Sequence, residues 1–154
     1  MTDVLRIANC SGFYGDRLSA AREMVEGGPI DVLTGDYLAE LTLMILLKDR
    51  LKDPTLGYAR TFLRQLEEVA ATCKQRGIKI VVNAGGLNPA GCAEAARALY
   101  KRLGVKAVVA HLDNAGRHFL QQVAVVGNHQ YGAGEARQSI FDCLAGGEIG
   151  RAHV

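Results

Sequence analysis

The chain has 154 residues, of which 49% are hydrophobic and 22% are charged, a composition typical of one globular domain. Its net charge of +2 and its aromatic content of 6% argue against a nucleic acid or an anionic membrane as a main partner. The four cysteines form no CxxC pair and show no metal-like spacing, so we expect free thiols and no metal. The first residues lack an apolar leader segment, and we expect a cytoplasmic protein without a cofactor.

Short apolar runs alternate with amphipathic helical patterns along the chain. In chain order we predict a strand over residues 4–10, a helix over 17–26, a strand over 30–36, helices over 37–53 and 57–76, a strand over 78–84, a helix over 89–104, a strand over 105–112, a short helix over 115–122, a strand over 123–127 and a helix over 134–147. Because the strands are nearly all apolar, we expect helices on both faces of a parallel sheet. The predicted fold class is α/β, with three αβα layers and a mainly parallel open sheet of the Rossmann or flavodoxin type.

The predicted elements belong to a single α/β domain over residues 1–147. Residues 148–154 match the translation of a common sequencing-adapter sequence, so we expect them to be non-native, the alternative being a genuine polar tail. On this interpretation the domain is the N-terminal part of a longer protein and is truncated at its C-terminus.

Polar residues follow several of the predicted strands, and ligands bind at the carboxyl ends of strands in open parallel sheets. After the first strand, the loop CSGFYGDR offers Ser11, Gly12, Asp16 and Arg17. Glycine lets the backbone approach a ligand closely, and an arginine can bind an anionic group. The alternative is that Asp16 caps the next helix and that Arg17 is a solvated surface residue. The loop lacks GxGxxG, so it is a weak nucleotide fingerprint.

The segment TGDYLAE, which follows the second strand, offers Gly35, Asp36 and Glu40. Two carboxylates beside a pocket can act as general acid and general base. Asp36 can equally serve as a helix cap. Glu40 lies among leucines on a helix that we expect to be well covered, and a buried acid needs a partner.

The loop NAGGLNP, after the third strand, offers Asn83, Gly85, Gly86 and Asn88. Adjacent glycines allow positive φ angles, and their N–H groups can form an anion-binding nest. The loop has neither the lysine nor the glycine spacing of a phosphate-binding P-loop. Cys92 follows in the first turn of the next helix; since no base is adjacent in sequence, we expect this cysteine to be structural.

Four segments in the same order resemble the N-terminal part of the acyclic terpene utilisation protein AtuA family: IANCSGFYGDR, VLTGDYLAELTLMIL, KDPTLGYARTFL and VVNAGGLNPAGCAEAA. The resemblance covers residues 6–104, is looser over 110–126 and partly resumes at NHQYGAGEARQSIFDCLAGG. It implies a cytosolic protein that takes part in the catabolism of acyclic terpenoids such as citronellol and geraniol, through acyl-CoA intermediates. It does not imply one particular reaction.

These observations lead to two hypotheses about function. In the first, the protein is an enzyme that acts on an isoprenoid or branched-chain acyl-CoA or acid, with Asp36 or Glu40 as the acid or base of a lyase or hydratase reaction. The residues expected to bind the substrate are Ser11, Gly12, Asp16, Arg17, Gly35, Asn83, Gly85, Gly86 and Asn88. In the second, it is a non-catalytic binding or assembly partner of an acyl-CoA carboxylase, with the helix over 37–52 as its interface. We therefore expect a small-molecule substrate, and either a homo-oligomer or a carboxylase complex, but no nucleic acid and no membrane.

Overall fold

The computed structural model describes residues 4–112 and the backbone of residues 122–126. Its elements are β1 (Ile7–Asn9), α1 (Ala20–Glu26), β2 (Val32–Gly35), α2 (Glu40–Lys52), α3 (Arg60–Arg76), β3 (Lys79–Val82), α4 (Pro89–Arg102), β4 (Val108–Leu112) and β5 (Gln122–Val126). The predicted helix over 134–147 and residues 148–154 lie outside the described residues. Of the short helix predicted over 115–122, only Gln122 is described, and it belongs to β5.

The strands form one sheet in the order β1-β2-β3-β5-β4. The pairs β1–β2 and β2–β3 are parallel, with Leu33 opposite Ile80, whereas β5 is antiparallel to both β3 and β4. Only residues 113–121 connect β4 to β5. A parallel pair of neighbours needs a crossover of about a dozen residues or more, so this short connection suits an antiparallel pair.

The core lies between the sheet and three helices, α1, α3 and α4, with α1 packed on α3 and α3 packed on α4. In β3, Ile80 and Val82 are buried while Lys79 is exposed and Val81 is partly buried, so one face of the sheet is more deeply buried than the other. Helix α3 meets this core with a stripe at helical spacing, formed by Phe62, Leu66, Val69 and Cys73. The stripe ends with the helix at Gly77, whose φ of 70° is left-handed.

Helix α2 is much less covered than the sequence led us to expect. Thr42 and Leu46 are buried, and Leu46 packs beside Gly86 in the loop between β3 and α4. The exposed apolar residues of the helix are Leu41 (67%), Met44 (70%), Ile45 (39%), Leu47 (50%) and Leu51 (78%). The expectation of good cover was wrong because α2 packs along one narrow line against loops, so that most of its apolar circumference has no neighbouring element within residues 4–112.

The predicted α/β class is confirmed, with helices on both sides of a sheet whose strands β1, β2 and β3 are parallel. Because β1, β2 and β3 are parallel, their carboxyl ends lie at the same edge of the sheet. The three loops that follow these strands are therefore neighbours, and they carry the polar residues singled out above.

Candidate functional site

A polar cleft of about 370 Å³ opens at the carboxyl end of β1. The four residues predicted from the first loop, Ser11, Gly12, Asp16 and Arg17, all line it. Asn9 adds a further polar group, and Ala20 and Met24 of α1 give the cleft an apolar side. The cleft therefore combines a polar loop with a short apolar wall.

Asp16 organises the loop that forms the polar side of the cleft. Its Oδ2 accepts a hydrogen bond from the Gly12 N–H at 2.9 Å, and its Oδ1 accepts one from the Arg17 N–H at 2.7 Å. These two backbone donors, that of Gly12 above all, hold the pKa of the Asp16 carboxyl below its usual range. The Ser11 hydroxyl donates to the Phe13 carbonyl at 3.0 Å. Since both of its carboxylate oxygens accept backbone hydrogen bonds, the ionised Asp16 side chain holds the loop in its conformation.

Arg17 stands at the rim of the cleft with its guanidinium largely exposed. Its Nη2 lies 2.8 Å from Oε2 of Glu23, one turn into α1, and the Arg17 side chain is 62% exposed. A guanidinium has five N–H donors, so this pair leaves donors for another anionic group. The ion pair therefore orients the guanidinium and leaves some of its N–H groups available as donors.

Asp36 links the second strand end to the cleft. Its backbone N–H donates to the Ser11 carbonyl at 2.9 Å, and its Oδ1 accepts hydrogen bonds from Asn83 Nδ2 at 2.6 Å and from the Leu38 N–H at 3.0 Å. Asn83 Oδ1 in turn accepts from the Tyr37 N–H at 2.7 Å. The second carboxylate oxygen of Asp36, Oδ2, accepts no hydrogen bond from a described residue. The predicted residues Asp36 and Asn83 are thus brought together beside the cleft.

Glu40, the other predicted catalytic carboxylate, is the first residue of α2. Its side chain lies outside the described part of the structure, so its predicted role stays a prediction.

Gln65 of α3 is a polar residue of this region that the sequence did not reveal as important. It is buried, its Oε1 accepts a hydrogen bond from the Tyr37 hydroxyl, and its Nε2 donates to the carbonyls of Cys10 at 3.3 Å and Arg17 at 3.1 Å. Burial raises the pKa of Tyr37, which keeps the phenol protonated as a donor. The Tyr37 ring fits closely against Gly35, where a Cβ atom would lie 2.7 Å from it. The signal for Gln65 was present: it lies on the apolar stripe of α3, where a polar residue requires a buried partner.

The loop that carries Gly85, Gly86 and Asn88 is placed apart from these residues, against the connection between α2 and α3. Asn88 caps α4 by accepting from the Gly91 N–H at 3.0 Å, and its Nδ2 donates to the carbonyls of Thr55 and Leu56. The Asn88 N–H donates to the Gly85 carbonyl at 2.9 Å. Gly86 has a φ of 51° and lies against Leu46. These hydrogen bonds therefore hold the loop against the connection between α2 and α3 and against the start of α4.

The family model for acyclic terpene utilisation family protein AtuA matches residues 5–139 of the chain. The chain belongs to the AtuA family. The match confirms the resemblance found in the sequence, and membership of the AtuA family gives the chain a role in acyclic terpene utilisation.

Two other comparisons add little to the AtuA assignment. No curated protein matches the chain. Among solved structures, the chain is similar to a Streptococcus pneumoniae protein described as a candidate tRNA (m1A22) methyltransferase, with 15% identity over 95% of this chain and 76% of that one. The TM-score of this pair is 0.30, too low to support an argument about fold or function. Within residues 4–112, no helix has the length and apolar character needed to cross a membrane.

The described cysteines of this AtuA-family chain are buried and free, as predicted. Cys92 is fully buried, and burial raises the pKa of its thiol to about 12. A thiol with that pKa is almost entirely protonated at neutral pH and is a poor nucleophile, which agrees with the structural role expected for it. No three His, Cys, Asp or Glu side chains come together as a metal site in the described part of the chain.

Proposed function

We propose that this AtuA-family protein acts on an isoprenoid or branched-chain acyl-CoA, or on the corresponding acid, in the cleft at the end of β1. The reaction would be a lyase or hydratase step assisted by a carboxylate. The observation that carries the proposal is the position of Asp36, which is joined to the cleft loop through the Ser11 carbonyl and keeps one carboxylate oxygen without a described partner.

The two sides of the cleft suit the two ends of such a substrate. The guanidinium of Arg17 offers charge-assisted hydrogen bonds to a carboxylate, a thioester carbonyl or a phosphate. Ala20 and Met24 offer an apolar surface for a branched hydrocarbon, and methionine adapts well to irregular shapes. The arrangement therefore favours a ligand with a polar head and a hydrocarbon body.

In this proposal Asp36 is a proton-transfer residue. The hydrogen bonds from Asn83 and the Leu38 N–H hold its Oδ1. They fix the plane of the carboxylate and therefore the direction in which Oδ2 points. In the dehydration direction, a base removes a proton from the carbon next to a carbonyl and an acid protonates the departing hydroxyl, which leaves as water. In the hydration direction the two groups exchange roles, so that one takes a proton from the attacking water and the other returns a proton to that carbon. Asp36 would fill one of these roles, and Glu40 is the candidate for the other.

Replacement of Asp36 by asparagine tests this proposal, since asparagine keeps the Oδ1 acceptor and removes the charge. We expect kcat on an isoprenoid acyl-CoA to fall by about 100-fold or more while KM changes little. Asp53→Asn is the matched control, because Asp53 also accepts from a backbone N–H two residues later, but in the loop after α2. Activity within threefold of the wild type in Asp36→Asn would remove Asp36 from the mechanism.

The binding half of the proposal is tested separately with Arg17→Gln. Calorimetric titration with the isoprenoid acid and its CoA ester should show affinity reduced by about tenfold, the usual loss for a charge-assisted contact. Arg22→Gln is the control, since Arg22 lies on α1 and pairs with Glu68 instead of lining the cleft. Equal affinities in the two variants would place the substrate elsewhere.

The exposed apolar surface of α2 favours the second hypothesis, a non-catalytic partner of an acyl-CoA carboxylase. Met44 and Leu51 are 70% and 78% exposed, and exposed apolar patches of this kind often mark protein interfaces. Co-elution with the carboxylase in size-exclusion chromatography should be lost in Met44→Glu/Leu51→Glu and kept in Val4→Glu, which alters an exposed residue elsewhere. A larger mass without the carboxylase would indicate a homo-oligomer instead.

A further inference from the structure

A second cleft, of about 280 Å³, lies at the other edge of the sheet from the candidate site. It is bordered by the last turn of α3, the second half of α4 and the segment that leads into β4. Because a helix between two parallel strands runs back along them, the carboxyl ends of α3 and α4 lie where the strands begin. We call this cleft the basic cleft; it is independent of the function proposed above.

The charged residues that line the basic cleft are all cations: Lys74, Arg97, Lys101 and Lys106. None of the described acidic residues lines it, and none of the four cations forms an ion pair with a residue in the same part of the chain. Among the described arginines, Arg17, Arg22, Arg60 and Arg102 form ion pairs, whereas Arg97 is one of those that do not. Four like charges around a small cleft repel one another, and an anion placed among them relieves that repulsion.

Helix dipoles explain only half of this charge. Lys74 and Lys101 lie in the last turns of α3 and α4, where a positive charge complements the negative end of the helix. Arg97 lies in the middle of α4, and Lys106 follows the helix. Arg97 is also held in place, since its Nη2 donates to the Val109 carbonyl at 2.9 Å, which leaves its other N–H groups for a further acceptor.

The remaining walls of the basic cleft are apolar. Val105, Ala107 and Val108 are partly buried along it, and Tyr100 packs beneath with only 5% of its surface exposed. The Tyr100 hydroxyl has no hydrogen-bond partner among the described residues, so it can donate to a ligand.

A ligand whose head group carries one charge would balance little of the charge around the basic cleft, whereas a phosphate carries up to two charges and several acceptor oxygens. We infer that the basic cleft binds a phosphate- or diphosphate-bearing ligand whose adjoining portion is apolar.

Calorimetric titration of the chain with methyl phosphate, butyl phosphate and inorganic pyrophosphate tests this inference. Pyrophosphate should bind more tightly than methyl phosphate because it carries more charge. Butyl phosphate has three more methylene groups than methyl phosphate, and a fully buried methylene group contributes about a factor of four. Because the cleft is open and buries the chain only in part, butyl phosphate should bind about tenfold more tightly than methyl phosphate. In Lys101→Gln/Lys106→Gln, the affinity for butyl phosphate should fall by about tenfold or more, and amide NMR shifts caused by the ligand should concentrate at residues 105–108.

The control is Lys48→Gln/Lys52→Gln, which removes the same charge from exposed positions of α2. Its affinity should equal that of the wild type, and both variants should show unchanged circular dichroism. Arg17→Gln should leave the amide shifts at residues 105–108 unchanged, because Arg17 does not line the basic cleft, so a failure of the proposed function leaves this result intact. The inference is overturned if the wild type binds no phosphate, if both double variants lose affinity equally, or if the butyl chain brings no gain over the methyl group.

Discussion

Gln65 joins the loop of the candidate cleft to the core of the domain. Its Oε1 accepts a hydrogen bond from the Tyr37 hydroxyl, and its Nε2 donates to the carbonyls of Cys10 and Arg17 at the two ends of the loop. All three contacts are made by a side chain that is 2% exposed, where water cannot replace a lost hydrogen bond. The geometry of the cleft therefore depends on one residue of α3 that does not line it.

Replacement of Gln65 by leucine should lower the free energy of unfolding by about 2 kcal/mol, since leucine has a similar volume but leaves the buried partners of the amide unsatisfied. Gln75→Leu on the same helix is the control, because Gln75 is exposed, and it should change the free energy by less than about 0.5 kcal/mol. Urea unfolding followed by circular dichroism measures both values. Similar small losses in the two variants would show that the amide network adds nothing to stability.

Helix α2 is the element whose role differs most from that of its neighbours. It contacts the rest of the domain through a narrow line centred on Leu46, which is fully buried, while the next residue, Leu47, is 50% exposed. Its last turn is fixed by the Arg50 guanidinium, whose Nη1 donates to the Leu87 carbonyl at 2.5 Å. The helix thus covers the loop after β3 and offers its opposite side to other surfaces.

The contrast between Leu46 and Leu47 gives a direct test of this packing. Leu46→Ala should cost about 3 kcal/mol of stability, because it leaves a cavity between α2 and the loop. Leu47→Ala makes the same chemical change at an exposed position and should cost less than about 0.5 kcal/mol. Chemical unfolding of the two variants checks the difference, and equal losses would mean that α2 is rotated from the position described here.

Gly86 determines how closely α2 approaches the loop after β3. Its φ of 51° is left-handed, and a Cβ atom there would overlap Leu46 and lie 3.0 Å from the Gly57 carbonyl. Gly86→Ala should therefore cost at least about 2 kcal/mol, from backbone strain together with overlap. Gly104 has a φ of 67° with no atom within 4 Å of such a Cβ, so Gly104→Ala should cost only about 1 kcal/mol. Both variants introduce backbone strain, but only Gly86→Ala introduces overlap with Leu46. Thermal unfolding of the two variants therefore measures the effect of the overlap, and an equal loss of stability in both would show that there is none.

At the scale of the whole molecule, the order of the elements could be predicted because periodicity and capping are local properties of the sequence. The α/β class follows from that order. The place of β5 between β3 and β4 could not be predicted, because strand pairing joins residues far apart in the chain. The exposure of α2 was missed for a related reason: an apolar pattern shows that a helix face avoids water but not what covers it.

The candidate site was predictable to a similar extent. Ser11, Gly12, Asp16 and Arg17 line one cleft because they are adjacent in sequence, and the parallel strands bring Asp36 and Asn83 together at the same edge. The hydrogen bonds that link these loops to α3 are contacts between distant parts of the chain. Only the fold reveals them, even where a buried polar residue on an apolar stripe gives a hint.

The buried thiols affect the stability of the whole domain at alkaline pH. Burial raises the pKa of Cys73 to about 11 and that of Cys92 to about 12, from an ordinary value of 9.0 that the unfolded chain keeps. The folded state therefore holds these protons more tightly than the unfolded state. Their contribution to stability is fully present below pH 9.0 and is lost as the pH rises from there through the folded pKa values.

Removal of the Cys92 thiol should make the loss of stability with rising pH less steep. Between pH 9.0 and its folded pKa of about 12, Cys92 changes the free energy of unfolding by about 1.4 kcal/mol per pH unit, because one proton leaves on unfolding. Urea unfolding of Cys92→Ala between pH 8 and 10.5 should show a slope against pH that is smaller by about this amount above pH 9. Leu99→Ala, which shortens another buried side chain of α4, should lower stability at every pH and keep the slope of the wild type. If Cys92→Ala kept that slope as well, the alkaline loss would arise from other groups and Cys92 would titrate in the folded protein as it does in the unfolded chain.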